Sequence, residues 1–272
     1  MGQNTLISII LVGVVALILF AFATKLVANS KSGTRGQFCL TTMNVKLATT
    51  IDAGIKTYRG IDEFCPKYRV FIGEDKTEIM RGTDSFEKRK YDELTEDVVR
   101  DVVAKEMLHC WRQFGSGKQP FFHVPTNWLQ DIIKKKDLIG CRVCSDITFK
   151  DVEAREFDGV KEYLDDASPS GLLVSEDDMR YYELLAEHTA GCSDEYLSED
   201  ESNCWEDFAE EYDIDTDPVL DSKTIYEDSG LSKSYLVVFV RKDMRKGRGT
   251  MNTYLMDVDT KNRVCEESLP YR

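Results

Sequence analysis

The residues of this 272-residue chain that are best suited to chemistry are its eight cysteines. Cys141 and Cys144 form a Cys-x-x-Cys motif, a spacing used by redox-active dithiols and by one half of a zinc site. A redox pair should follow a strand and open a helix, whereas here a strand-like Ile-Thr-Phe segment follows the motif. Zinc needs two further ligands, which Cys110 with His109 or His123 would supply. We favour the structural alternative, in which a disulfide ties this segment to the helix that contains Cys110.

The cysteines as a group predict an oxidised, exported domain. They are spread over the domain and none lies in the apolar N-terminal segment, as expected for up to four disulfides. The remaining ~240 residues are enough to bury a core unaided, so the cysteines indicate the compartment and not a small fold. We predict one pairing, Cys192 with Cys204, which would close an acidic loop. The disulfide candidates are Cys39, Cys65, Cys110, Cys141, Cys144, Cys192, Cys204 and Cys265.

Three alternating carboxylates, those of Asp213, Asp215 and Asp217, match the opening of a calcium-binding loop. In such loops this spacing wraps oxygen ligands around a hard cation. The pattern then breaks, because Pro218 stands at the glycine position and Thr224 at the position of the bidentate glutamate. A solvated acidic loop is therefore the expected state, and calcium binding is the alternative.

One dense basic cluster interrupts the acidic chain near its C-terminus. It lies in the segment RKDMRKGRGT, between two apolar runs, and is a candidate surface for an acidic neighbour such as another copy of the chain. A solvated turn is the simpler interpretation. The candidate interaction residues are Lys242, Arg245, Lys246 and Arg248.

Charge and motifs limit the classes of function. The formal net charge of −14 indicates a surface that repels nucleic acid and anionic lipid headgroups and suits a cationic partner. The sequence has no H-E-x-x-H, G-x-S-x-G, P-loop or dinucleotide-binding fingerprint. We therefore predict no enzymatic activity, no nucleic-acid partner and no cofactor, with zinc as the alternative.

An uncharged apolar stretch near the N-terminus, LISIILVGVVALILFAFAT, begins at Leu6. At ~1.5 Å per residue its nineteen or so residues nearly cross a bilayer core of ~30 Å. We predict a transmembrane anchor helix in residues 1–27, with the lipid bilayer as the partner of residues 6–27. A polar linker at 28–36 and an acidic domain at 37–272 follow. A cleaved signal peptide is the alternative, but no basic residue precedes the apolar stretch.

The sidedness of this anchor is contested by two signals. Lys25, Lys31 and Arg35 follow the apolar stretch, and the positive-inside rule alone would place the domain in the cytoplasm. The eight cysteines favour an oxidising compartment instead. We adopt the extracytoplasmic placement at the cell membrane.

The patterning of the domain predicts an α+β fold, because helical and strand-like segments do not alternate strictly. The clearest signal is an amphipathic helix from Asp92 to Phe114, whose apolar residues recur every three to five positions. Residues 74–91 are charged and are predicted to be irregular. The other predicted elements are strands at Val45–Ile55, Tyr68–Ile72 and Ile139–Phe149, a helix near Glu176–His188, and a terminal hairpin of Ser234–Val240 with Thr253–Val258.

Two segments carry a resemblance. KEMLHCWRQFGSGK, which starts at Lys105, and CRVCSDITF, which starts at Cys141, follow the N-terminal apolar helix. This order resembles a group of uncharacterised archaeal single-pass membrane proteins, in which Cys-Trp-x-x-Phe-Gly-x-Gly and a later Cys-x-x-Cys-Ser recur. The resemblance implies an archaeal cell-envelope protein and assigns no catalytic role.

Two hypotheses of different classes follow. The first is a membrane-anchored envelope protein with a structural or partner-binding role, which binds another protein or assembles with copies of itself. A pilin-like filament subunit is a variant of it, although the basic leader and early glutamate of such subunits are absent. The second is a metal- or redox-active ectodomain that uses Cys110, Cys141 and Cys144. The pairing of these three sulfurs separates the hypotheses.

Overall fold

A computed structural model describes residues 39, 51–52, 57–58, 65–114, 138–169, 180–186, 204–222, 234–243 and 250–266. The predicted anchor and linker lie outside these residues. Within the part of the chain that is described, no helix combines the length and the apolar character needed to cross a bilayer.

Six of the described strands form one mixed sheet, in the order β10-β9-β6-β3-β4-β5. The remaining four form two small antiparallel pairs, β1 with β2 and β7 with β8. The strands are β1 (Ile51–Asp52), β2 (Thr57–Tyr58), β3 (Tyr68–Ile72), β4 (Lys76–Arg81), β5 (Asp84–Lys90), β6 (Leu138–Phe149), β7 (Glu156–Phe157), β8 (Leu220–Asp221), β9 (Tyr235–Asp243) and β10 (Thr250–Asp257).

The large sheet consists of two antiparallel halves that meet at a parallel pair. β3, β4 and β5 form one half, and β6, β9 and β10 form the other. β3 and β6 lie side by side and parallel in the middle. Parallel neighbours need a crossover connection, and helix α1 (Glu96–Gln113) lies between β5 and β6 in the chain. The central strand β6 therefore contacts both halves of the sheet.

Helix α1 forms where the sequence signals are strongest. The Thr95 side chain caps its N-terminus by accepting a hydrogen bond from the Val98 backbone N–H at 3.3 Å. Glu96 and Asp97 occupy the first turn, where the helix dipole favours negative charge. The buried residues of α1 include Val99, Val102, Val103, Met107, Cys110 and Trp111.

The sheet carries a helix on each face, as the register shows. We call the face that bears Phe239 the front face, because Phe239 stacks on Phe114 at 4.5 Å and lies beside Trp111 of α1. Val238, the next residue, points to the rear face and is paired with Tyr254 of β10. On that side Tyr254 stacks on two aromatic rings that precede β8 in the chain, those of Trp205 and Phe208, at 5.5 Å in each case.

Four shorter helices complete the described fold: α2 (Val160–Asp166), α3 (Tyr181–Ala186), α4 (Cys204–Glu211) and α5 (Val258–Glu266). Helices α2 and α3 pack on α1 and on each other. Helix α4 contributes Trp205 and Phe208 to the rear face, before β8 in the chain. Helix α5 follows β10 directly and contacts β10, β9 and β6.

The α+β prediction is confirmed. The predicted helix Asp92–Phe114 contains α1, and the strands predicted at Tyr68–Ile72 and Ile139–Phe149 correspond to β3 and β6. The terminal hairpin is present as β9 and β10, and α3 lies inside the helix predicted near Glu176–His188. Of the strand predicted at Val45–Ile55 only β1 is described.

The prediction that residues 74–91 are irregular is wrong, because they contain β4 and β5. Alternation is present in β4, where Thr77 and Ile79 are buried between more exposed neighbours. Strand β5 lies at the sheet edge, so its residues stay charged and mostly exposed. Gly82 adopts φ +63° in the two-residue turn between the strands, a conformation that glycine accepts without strain. The sequence did not predict this hairpin because β5, as a charged edge strand, lacks the apolar alternation typical of a strand.

Candidate functional site

The Cys-x-x-Cys motif lies inside β6, and its two cysteines point to opposite faces of the sheet. Cys141 is paired with Val240, a rear-face residue two positions from Val238. Residues three apart on a strand face opposite ways, so Cys144 points to the front. A bulge at Cys144 shifts the register between Val143 and Ser145. Such a bulge redirects side chains, and it turns Ser145 to the front face as well.

On the front face, Cys144 forms a disulfide with Cys110 of α1, with a Cα–Cα distance of 5.5 Å. Both residues are buried, at 2% and 1% exposure. This confirms the structural interpretation of the motif, in which a disulfide binds this segment to the Cys110 helix. The bond fixes α1 to the central strand.

On the rear face, Cys141 forms a disulfide with Cys265 of α5, with a Cα–Cα distance of 5.7 Å. This bond joins residues 124 positions apart in the chain, and so it ties the last described helix to the middle of the sheet. Strand β6 is thus bonded covalently to one helix on each face.

Because Cys110, Cys141 and Cys144 are held in disulfides, they do not supply the thiolates that a zinc site or a redox-active dithiol needs. A thiolate is the metal-binding and nucleophilic form of cysteine, and a sulfur in a disulfide has none. Cys141 and Cys144 are also not bonded to each other, as a redox-active Cys-x-x-Cys would be when oxidised. His109 lies half-buried on α1, and His123 lies outside the described residues. The described residues contain no cluster of three potential metal ligands.

The other cysteines are accounted for only in part. Cys39 and Cys65 form a third disulfide, with a Cα–Cα distance of 4.6 Å. The predicted pairing of Cys192 with Cys204 stays a prediction, because Cys192 lies outside the described residues. Six of the eight disulfide candidates are therefore placed in bonds.

Next to the front disulfide lies a buried polar pair that the sequence analysis missed. The Ser145 hydroxyl donates a hydrogen bond to the Glu106 carboxylate at 2.7 Å. Glu106 sits one turn before Cys110 on the buried side of α1, and both members of the pair are 2% exposed. The signal was present, since Glu106 interrupts the apolar stripe of the predicted helix. Both groups are almost completely shielded from solvent, so we assign the pair to packing between α1 and β6.

The calcium candidates do not converge. Asp213 receives hydrogen bonds from the guanidinium of Arg263, whereas the Asp217 carboxylate accepts one from the Lys161 backbone N–H at 3.0 Å. The Asp215 carboxylate accepts a hydrogen bond from the Asp217 backbone N–H at 3.0 Å. Each of the three side chains has a different partner. The segment therefore forms a loop that links α2, α4 and α5.

Of the basic cluster, Lys242 lies in β9 opposite Thr250 of β10. Its side chain and residues 245, 246 and 248 lie outside what the structure describes. The prediction that this cluster binds an acidic neighbour stays untested.

A groove of about 600 Å³ opens at the N-terminus of α1, between that helix and β7. Phe157 and Leu94 give it an apolar floor, and its walls are carboxylates and two arginines. Arg100 donates hydrogen bonds to the Asp158 carbonyl at 2.6 Å and to the Glu96 carboxylate at 2.7 Å. The other arginine, Arg155, bonds to Glu74 outside the groove, so the four carboxylates of the lining outnumber its cations. We assign no ligand to it.

The strongest electrostatic feature of the described residues is an acidic surface formed by α2, α4 and the loop after α4. The Lys161 ammonium bridges to Glu206 and joins the two helices, and this contact raises the pKa of Lys161. Burial raises the pKa of Asp165, and repulsion by Glu206 and Asp166 adds to the increase. The members of this acidic surface are Glu162, Asp165, Asp166, Glu206, Asp207, Glu210, Glu211, Asp213, Asp215 and Asp217.

Two tyrosines, the half-buried Tyr163 and the buried Tyr181, lie between α1, α2 and α3. Burial, and then the charge of Asp101, raise the pKa of Tyr163 to about 12. The same causes raise the pKa of Tyr181 further. A tyrosine with a raised pKa is a poor general base, so this cluster has the character of a packing contact and not of an acid–base site.

Comparisons with known proteins supply no family for this chain. No protein-family model, curated protein or solved structure matches it.

Proposed function

We propose that this chain is a membrane-anchored cell-envelope protein, whose disulfide-braced domain stands on the extracytoplasmic side and has a structural or partner-binding role. The observation that carries the proposal is the pair of disulfides that fix a helix to each face of β6. Such bonds persist in oxidising compartments and are rare in the cytosol. Residues 6–27 would supply the anchor, and the resemblance to archaeal envelope proteins agrees with this placement.

A binding role fits the described residues better than catalysis. Their buried polar pair, Glu106 with Ser145, is almost completely shielded from solvent, and in the groove the Arg100 guanidinium is already bonded to Glu96. What the domain offers to its surroundings is charge, chiefly the acidic surface. A cationic protein partner or a basic surface on another copy is the complement of that surface.

The competing proposal from another class is a metal- or redox-active ectodomain. It requires thiolates at Cys110, Cys141 and Cys144, and all three sulfurs are held in disulfides. It would therefore operate only after reduction. We retain it as the alternative that a reduced, zinc-loaded form of the protein would support.

The anchor is tested by cell fractionation of the full chain and of a variant carrying Leu11→Arg and Val15→Arg. Each arginine at the centre of a spanning helix costs about 2.5–3.5 kcal/mol of insertion free energy. The wild-type chain should stay with membranes through alkaline carbonate washing, and the variant should be released. A Leu11→Ala, Val15→Leu variant controls for substitution at these positions.

Sidedness is tested by labelling intact cells with a membrane-impermeant lysine reagent. Lys88 and Lys150 are exposed in the domain, so they should be labelled without lysis. Labelling that requires lysis would place the domain in the cytoplasm and overturn the proposal. A chain that washes off membranes would overturn the anchor.

A further inference from the structure

The two edges of the large sheet differ in how they are covered. At the β10 edge, the Trp205 indole N–H donates to the Thr253 carbonyl at 3.1 Å, and the Tyr254 hydroxyl donates to the Trp205 carbonyl at 2.9 Å. Helix α4 therefore occupies that edge. At the opposite edge, none of the strands that the structure describes pairs with the outer side of β5. An uncovered sheet edge is a natural place for another chain to bind.

The β5 edge, which no described strand covers, is basic, in contrast to the protein as a whole. Residues 65–91, which contain β3, β4 and β5, hold seven basic and five acidic residues, although the whole chain has a net charge of −14. Lys76 and Lys90 lie directly opposite each other in the register, and both are exposed. Like charges in such a position destabilise a strand pair. The Asp75 carboxylate lies 3.9 Å from the Lys76 ammonium and offsets part of that repulsion, and an anionic partner would offset more of it.

The same molecule carries a matching surface elsewhere. The helices and loop that form the acidic surface contain ten carboxylates and one basic residue, Lys161. On the exposed side of α4 they include Asp207, Glu210 and Glu211, which point away from the buried Trp205. Trp205 of α4 contacts β10, so the acidic residues of α4 and the basic β5 strand belong to opposite ends of the strand order.

We propose that the β4–β5 edge of one copy binds the acidic surface of a second copy, so that the domains associate head to tail. Pairing of β5 with β5 is disfavoured, because it would set a lysine-rich edge against itself. The contact uses two different surfaces, so each bound copy leaves one of each kind available, and growth continues unless the geometry closes a ring. This inference rests on the proposed function and specifies its partner as a second copy of the chain.

The experiment uses the full chain at one copy per lipid nanodisc, so that membrane segments cannot meet and only domains can join the discs. Sedimentation velocity is measured at about 25 mM and about 500 mM NaCl, since exposed charges are screened at the higher concentration. We expect discs to associate at low salt and to separate at high salt. Single discs at low salt would overturn the proposal.

Charge-reversed variants locate the contact. Lys76→Glu with Lys90→Glu inverts the edge but preserves a like-charged pair across β4 and β5, so the fold is little affected. Glu210→Lys with Glu211→Lys inverts α4 and places cations at its C-terminal end, where the helix dipole favours them. Each double variant should raise the dissociation constant at least about tenfold. Unchanged association of either variant would overturn the proposal.

The matched control is the chain with all four substitutions, which has the wild-type net charge and two swapped but complementary surfaces. It should associate again at low salt, as should an equal mixture of the two double variants. Failure of both rescues would overturn the proposal, with near-ultraviolet circular dichroism confirming that each variant is folded. Membrane retention and sidedness are measured separately. Single discs therefore refute the contact alone, and release from membranes refutes the proposed function.

Discussion

Removing the rear disulfide, by replacing both Cys141 and Cys265 with alanine, should destabilise the domain by about 5 kcal/mol. The cross-link joins residues 124 positions apart, and the loop-entropy relation gives about 5 kcal/mol for a loop of that length. Replacing Cys110 and Cys144 opens a loop of only 34 residues, for which the same relation gives about 4 kcal/mol.

The difference in burial between the two disulfides reduces the difference between these two expected losses of stability. Cys110 and Cys144 are 1% and 2% exposed, so removing their sulfurs also leaves cavities that cost roughly 1–2 kcal/mol. Cys141 is only partly buried, and its loss leaves less empty space. We therefore expect both double variants to lose similar free energies of unfolding. Since domains of this kind have about 5–15 kcal/mol in total, either variant should be near the limit of folding.

The assay is equilibrium urea unfolding of the full chain in nanodiscs, followed by tryptophan fluorescence. Trp111 packs on the front face against Phe239, and Trp205 stacks on Tyr254 at the rear. The chain has a third tryptophan, Trp128, so variants that keep only Trp111 or only Trp205, with the other two replaced by phenylalanine, report on one face at a time. A loss below about 2 kcal/mol for the rear variant would mean that the disulfide does not hold α5 to the sheet.

Three further predictions concern single side chains and use the same urea assay. Thr95→Ala should cost about 1 kcal/mol, because it removes the N-cap of α1, whereas Thr95→Ser should retain the cap and most of the stability. Ser145→Ala should cost about 1–3 kcal/mol, since it leaves the buried Glu106 carboxylate without this donor; a loss below about 0.5 kcal/mol would contradict that role. The pKa of Tyr163 is about 10 in the unfolded chain and about 12 in the folded domain. Its contribution to the free energy of unfolding is therefore fully present below about pH 10 and is lost as the pH rises to about 12. Tyr163→Phe should flatten that decline, and an equal slope in wild type and variant would exclude the Tyr163 contribution.

The sequence predicted the elements whose buried apolar residues form a recognisable pattern along the chain. Helix α1 buries one stripe between Val99 and Trp111, and β9 is apolar along most of its length, so both were visible. Strand β5 left no such trace, because an edge strand gains little from burying side chains and remains charged. Helix α5 was not predicted for a similar reason, since Val264 and Cys265 are its only buried residues among those whose burial is described.

The sequence indicated that the Cys-x-x-Cys motif forms structural disulfides, but it did not identify both partner cysteines. A Cys-x-x-Cys motif inside a strand places its cysteines on opposite faces, and the strand-like residues after Cys144 already indicated that setting. The partners of Cys141 and Cys144 depend on which helix covers each face, and this is decided by contacts between distant parts of the chain. Cys265 lies 124 residues from Cys141, and no local pattern relates them.

The disulfide-braced extracytoplasmic domain is tested most directly by thiol alkylation of the full chain, extracted from its native membrane without reductant. The peptides are then mapped by mass. We expect no alkylated thiol at Cys110, Cys141, Cys144 or Cys265, and disulfide-linked peptides that join Cys110 to Cys144 and Cys141 to Cys265. Alkylated thiols at these positions would contradict the extracytoplasmic placement. A local link between Cys141 and Cys144 would contradict the fold, because it would require both cysteines on the same face of β6.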